Sequence, residues 1–307
     1  MMRLQYIFCI LLITTVFLPF SAAAEEASKH GDFRYLLEPN RSYSTLSYMH
    51  EPKMEEDGGP GEYSLNKFEA DISKAFELTE DADLLFGGTY GARVYSFEEV
   101  PEAITSTGGE TLHEVSFLVG IEYFLSDSIY MQGYARDGLY TDFNGDLDLD
   151  DFNLEGQGLI AFRINPGTAL ILGAEYSHRF VDFDFFPIVG LRILSSSGGM
   201  HINLTLPTEA EVTFNLSSDF SIYAGAWIDG DRYNVRFGSA TDDFDVNIQE
   251  NRIGGGMYYW LGQHVRLGVE GGALIGSKFE FEPTNAGQFK DDLETGPYIS
   301  ASLGLSF

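Results

Sequence analysis

Residues Pro297–Phe307 read PYISASLGLSF. Ile299, Ala301, Leu303, Leu305 and Phe307 take every second position, and Tyr298, Ser300, Ser302, Gly304 and Ser306 take the others. Successive side chains leave a β-strand on opposite faces, so a period of two predicts an extended strand; a helix would repeat every ~3.6 residues. One face of this strand is wholly apolar and ends in an aromatic ring. On the edge of a soluble sandwich such a face is an aggregation hazard. In a bilayer it is the face that meets lipid.

The same alternation recurs from about Phe33 onward. In Thr111–Phe124, Val115, Phe117, Val119, Ile121 and Tyr123 oppose Glu114, Ser116, Gly120 and Glu122. In Thr168–Phe180, Leu170, Leu172, Ala174 and Tyr176 oppose Gly173, Glu175 and Ser177. Val265, Leu267, Val269, Ala273 and Ile275 oppose Arg266, Gly268, Glu270 and Gly272. The connections alternate in length. Short turns are expected at Thr79–Asp81, Ser126–Asp127, Asn165–Gly167, Ser217–Asp219 and Gly262–Gln263. Longer loops are expected at His50–Glu62, Glu98–Thr111, Thr141–Asp151, Val181–Phe186, Ser239–Asp245 and Glu282–Glu294. Short periplasmic turns and long outer loops are the asymmetry of transmembrane barrels. The count predicts an all-β, closed antiparallel transmembrane β-barrel of about 12 strands. One stretch resists it: FPIVGLRILSSSGGMHINLTLPTEAEVTFNLS, residues 186–217, is too long for one strand and too short for three. Pro207 cannot donate a ladder hydrogen bond. We read the stretch as one interrupted descending strand; an extra hairpin there would give 14 strands.

The stretch FPIVGLRI…HINLTLP, then SIYAGAWIDGDRYNVRF from Ser221, then the terminal strand together resemble an uncharacterised family of bacterial outer-membrane β-barrel proteins. The resemblance implies the barrel fold and an outer-membrane location, and carries no assigned activity. The aromatic-ended last strand also resembles the segment that outer-membrane proteins present to their assembly machinery, an expected partner along with outer-membrane lipid and lipopolysaccharide.

The N-terminus fits export. Arg3, an apolar run from Tyr6 to Phe20 and the small residues Ser21–Ala24 form the order of a cleavable signal peptide. The run is short of the ~20 residues a spanning helix needs. The expected organisation is residues 1–24 signal peptide, 25–32 a short N-terminal segment and 33–307 the barrel. Cys9 is the only cysteine and lies within the signal, so the mature chain has no disulfide to lean on. Asp and Glu number 47 against 18 Lys and Arg, a net charge of −29. That balance excludes nucleic acid as a partner, because phosphate binding requires a basic surface. Nothing in the sequence calls for a cofactor.

The alternation also sorts the charged residues. Glu69, Asp71, Glu122, Glu155, Glu175, Glu211 and Glu270, with Arg93, Arg136, Arg163, Arg192 and Arg266, fall on the inward parity and are the candidate lumen lining. Isolated buried charges are costly and paired ones tolerated, so a salt-bridged interior is the favoured reading. The alternative is a water-filled path whose fixed charges select ions by sign. His113 and His178 fall on the lipid-facing parity near the outer rim, where a lipid-modifying enzyme would place a base. Only His201 faces the lumen, beside Asn203 and Thr205. The loop TDFNGDLDLDD carries Asp142, Asn144, Asp146, Asp148 and Asp150 at every second position, a weak calcium-loop pattern. It lacks the sixth-position glycine and the closing glutamate. Three functions follow: a narrow channel or passive transport barrel, a structural barrel with a plugged lumen, or a lipid-modifying enzyme.

Overall fold

The computed structural model describes residues 33, 36–37, 42–55, 62–98, 109–144, 147–235, 244–283, 289–292 and 294–307. The expected signal peptide and the segment 25–32 lie outside them.

Among the described residues sixteen strands follow one another in chain order. The first hairpins are β1 (Tyr43–Glu55) with β2 (Glu62–Thr79), β3 (Ala82–Glu98) with β4 (Gly109–Ser126), and β5 (Ile129–Thr141) with β6 (Phe152–Asn165). Four short strands come next: β7 (Thr168–Tyr176), β8 (Phe185–Leu194), β9 (Met200–Leu206) and β10 (Glu209–Asn215). The chain ends in β11 (Phe220–Val235), β12 (Phe244–Leu261), β13 (Val265–Leu274), β14 (Lys278–Pro283), β15 (Phe289–Asp292) and β16 (Gly296–Ser306). From β1 to β13 each pairs antiparallel with the next, β14 pairs with β12 and β15, β16 pairs with β13, and the ring closes where β1 meets β16, from Tyr43↔Ser306 to His50↔Ile299. Lipid offers backbone groups no hydrogen-bond partner, so a sheet in a bilayer must close on itself.

β14 and β15 are not separate staves. β15 pairs with β14 in the register that β16 keeps with β13 (Lys278↔Asp292, Leu274↔Gly296), so the four form one long hairpin. Against β12 the register slips by one residue across Ile275–Ser277, which bends the upper half of that hairpin inward. Phe279 of β14 thereby reaches Tyr95 of β3, ring centroids 5.8 Å apart. The wall accordingly has fourteen strands, and the expectation of 12 is corrected. The 186–217 stretch is not one interrupted strand: it holds β8, β9 and β10. Pro207 lies in the Pro207–Thr208 turn between β9 and β10, where no ladder donor is required. That turn is short although it is at the outer end, so the loop-length rule passed over the hairpin.

The remaining turns share a local device. Asn165 accepts from the Gly167 amide at 2.9 Å, Ser217 from Asp219 at 3.2 Å, and Thr79 from Asp81 at 3.3 Å. A short polar side chain bonding the amide two residues on fixes a tight turn without needing a partner elsewhere in the fold. Above the turns the outer face of the wall is apolar: Tyr48, Phe68, Phe86, Phe117, Val119, Ile121, Val269 and Ile299 are all exposed. No helix among the described residues is long and apolar enough to cross a membrane; a closed barrel with this exterior crosses with its strands. The chain is an outer-membrane barrel.

Its rim is uneven. β2, β4 and β12 run 18 residues, β9 and β10 only seven. Above the short strands β11 leans across to β5, with Asn234 beside Thr141. The upper barrel therefore narrows, and β6–β10 bulge away as a side lobe. Loop 177–184 roofs the lobe by lying against the far faces of β11 and β12: Arg179 donates to the Ile228 carbonyl at 3.0 Å, and the Val181 amide donates to Gln249 at 3.3 Å. Gly230 permits this approach, because a Cβ there would overlap the Ile248 and Arg179 carbonyl oxygens. Two apolar clusters fill the interior. The outer one contains Leu65, Tyr95, Tyr140, Tyr233, Val246, Ile248 and Phe279. The other joins Phe33, Leu36 and Leu37, at the inner end, to Phe124, Tyr130, Ala161 and Ile188.

Gly230→Val will push loop 177–184 off β11. Trypsin will then cleave after Arg179 in the intact barrel, whereas the wild-type loop will resist; equal resistance would show that the loop does not depend on this contact.

Candidate functional site

The registers carry all twelve lumen candidates on the inward face, at positions bounded by the inner clusters. Tracing the ladder from Glu69↔Gly91 and Gly91↔Glu114 through Arg136↔Glu155 to Glu175 keeps one parity throughout. The centre of the charge network is Arg93. Only 1% of Arg93 is exposed, and it binds Glu250, donates to Asp231 at 3.0 Å and to the Tyr233 hydroxyl at 3.1 Å. Lys67 stands beside it, 2.7 Å from Asp229 and 3.5 Å from Glu69. Two strands from one side of the bore thus meet two from the other, and cations pair with carboxylates across the lumen.

The other candidates are each held locally. Asp71 accepts from Thr89 at 2.8 Å, and Glu122 from Gln132 at 3.3 Å. Arg136 stands 3.9 Å from Glu155, and Glu175 lies 3.5 Å from Arg179 and accepts from Gln157 at 2.8 Å. Arg192 donates to Thr205 at 2.8 Å; Glu211 accepts from Thr213 at 2.8 Å. Glu270 accepts two phenols, Tyr223 at 2.7 Å and Tyr298 at 2.8 Å. Arg163 covers the Phe33 ring and Arg266 the Tyr258 ring, 5.6 and 4.5 Å from the centroids.

Lys67, Asp229, Asp231, Glu250 and Arg252 were missed from the sequence. Asp229 and Asp231 were within reach: they continue the parity of Tyr223 and Trp227 in the same strand. Glu250 was harder, because residues 246–250 are all buried and both faces of β12 are covered there, so no alternation shows.

Between the side lobe and the main bore lies a cavity of about 350 Å³. Gln157, Ile171 and Arg192 line one wall, Trp227, Asp229 and Arg252 the other, and Arg179 of the roofing loop closes it. Its size is within the range of small-molecule sites, and its lining is mostly polar, with Ile171, Leu159 and Trp227 among the charged groups.

The histidines are not arranged as a relay. His113 keeps the lipid-facing parity and stacks on Tyr90. His178 does not: it is buried in the roofing loop, with Nδ1 3.1 Å from Asp184. Its expected place at the lipid face is corrected, because the loop folds over the lobe and does not continue β7. Burial, with the Arg232 cation nearby, holds its imidazole below the usual range. Ser177 is adjacent, yet its buried hydroxyl has no hydrogen-bond partner. His201 lies inward, its Nε2 likewise without a partner.

In the acidic loop, Asp142 accepts from the Asn144 amide at 2.9 Å, and Asp148 caps the 3-10 turn Leu149–Asp151. Asp146 lies outside the described residues, and Asp150 is exposed. Among the described residues no three His, Cys, Asp or Glu side chains gather as a metal site.

No family model and no curated protein matches the chain. Among solved structures it is similar to an outer-membrane channel from Pseudomonas putida F1, at 8% identity over 87% of this chain and 96% of that one, with a TM-score of 0.49. It is also similar to the P. putida toluene transporter TodX, at 9% identity over 94% of each chain and a TM-score of 0.40. A third is the KdgM porin in complex with disordered oligogalacturonate, at 9% identity over 86% and 99%, TM-score 0.36.

Arg93→Ala will leave Glu250 and Asp231 buried without their cation. The barrel should lose about 3–5 kcal/mol of stability, the usual cost of breaking a buried pair from one side. Urea unfolding of the reconstituted barrel, followed by tryptophan fluorescence, measures the change; an unchanged midpoint would mean that the network adds nothing to stability.

Proposed function

We propose that the barrel is a narrow, gated channel for small solutes. The observation that carries this reading is the polar cavity at the junction of side lobe and bore. It is roofed by one loop that is tied down through a few polar contacts: Arg179 to Ile228, Val181 to Gln249, Lys278 to Asp182 at 2.5 Å and Arg232 to Asp184 at 3.5 Å. Side-chain and backbone hydrogen bonds of this kind each contribute about 1 kcal/mol net. Such a roof opens at far lower cost than a strand of the wall, whose ladder must stay paired in lipid. Among the described residues the main bore is occupied by the Arg93 network and the outer apolar cluster.

A structural barrel with a plugged lumen is the second reading, favoured by the same pairing of charge around Arg93. The lipid-modifying reading gains no support from the dispersed histidines. Planar-bilayer recordings separate the first two. The wild-type barrel should give small, brief conductance steps, and replacing residues 178–183 with two glycines should enlarge them severalfold. Silence from both proteins across voltages and salts would favour the structural barrel.

A further inference from the structure

Two cations of the side cavity have donors to spare. Arg252 stands 3.9 Å from Asp229, lies over the Tyr298 ring at 6.0 Å, and donates from Nη1 to the Met49 sulfur at 3.8 Å, a weak acceptor. Arg179 spends Nη1 on the Ile228 carbonyl, and its Nε faces Glu175 Oε1 at 3.5 Å, too far and misdirected for a hydrogen bond. The Nε atom of each is buried and without a hydrogen-bond partner. A buried donor left unmade costs about 1–3 kcal/mol, and a guanidinium is built to grip a carboxylate with two parallel bonds. Of the nearby acids, Asp229 accepts from Lys67 at 2.7 Å and Glu175 accepts from Gln157 at 2.8 Å through Oε2, while Glu250 keeps a buried Oε2 without a hydrogen-bond partner and Glu209 also lines the cavity. Neither arginine is sealed off, since 29% of the Arg179 side chain and 21% of that of Arg252 remain accessible. Trp227 on one wall and Ile171 and Leu159 on the facing wall add apolar surface to the cavity.

We infer that this cavity binds a small organic carboxylate with an aromatic or branched body. The carboxylate lies between Arg179 and Arg252, and the body packs on Trp227. Arg179 belongs to the roofing loop, so an anion held there ties the loop to β12 and couples occupancy to the gate. The inference deepens the channel reading by naming its solute class. Binding is read in detergent, with no membrane to cross, so a silent bilayer recording and a failed titration are distinguishable results.

The chain has two tryptophans, Trp227 and Trp260. In a Trp260→Phe background, Trp227 reports the site. Benzoate should change its fluorescence saturably, while benzamide, its neutral isostere, and benzylamine should not. Arg179→Gln and Arg252→Gln should each weaken benzoate binding at least tenfold, with folding checked by the gel shift between boiled and unboiled samples. If Arg252→Gln fails to fold, Arg179→Gln decides alone, because its loop lies outside the wall. Equal responses to benzoate and benzamide, no saturable response, or unchanged benzoate affinity in a folded variant would each overturn the site.

Discussion

A strand in hydrocarbon has nowhere to send its amide and carbonyl groups except to another strand, so the first demand on this chain is a ring with no free edge. Everything distinctive about the structure follows from meeting that demand with strands of unequal length. Long strands on one side and seven-residue strands on the other cannot pair to the same height. The gap above β7–β10 is closed by β11 leaning onto β5, by the roofing loop and by the inward-bent β14–β15 hairpin. The narrow upper bore, the side lobe and the cavity between them are consequences of that closure.

Narrowing brings charged strands face to face. Arg93 on β3 meets Asp231 and Glu250 on β11 and β12, and Lys67 on β2 meets Asp229. These residues lie far apart along the chain and share a low-dielectric interior, where an uncancelled charge would be costly and a paired one is tolerated. The network both fills the bore and leaves Arg252 and Arg179 at its margin with donors unspent. On the proposed reading, solute chemistry belongs to the lobe and the bore serves as its wall.

How much a strand's sequence reveals depends on how many of its faces are covered. Where one face met lipid and the other the lumen, as in β4 and β16, alternation placed each side chain correctly. Where both faces were covered, as in residues 246–250 of β12, the alternation vanished and with it the key partners of Arg93 and Lys67. The strand count failed for a related reason: the β9–β10 turn is as short as an inner turn, so nothing in its length marks it as an outer one.

The barrel and the place of the terminal strand Pro297–Phe307 as one of its staves were legible in the amino-acid pattern alone. Each of these depends on side-chain period and local turn chemistry, which act over a few residues. Only the tertiary structure decided the fourteenth strand, the pinch of β5 against β11, the burial of His178 and the convergence of Arg179, Arg252 and Trp227 on one cavity. Those depend on which distant strands meet and at what height, and the pairing of strands across a closed ring is a property of the whole circumference.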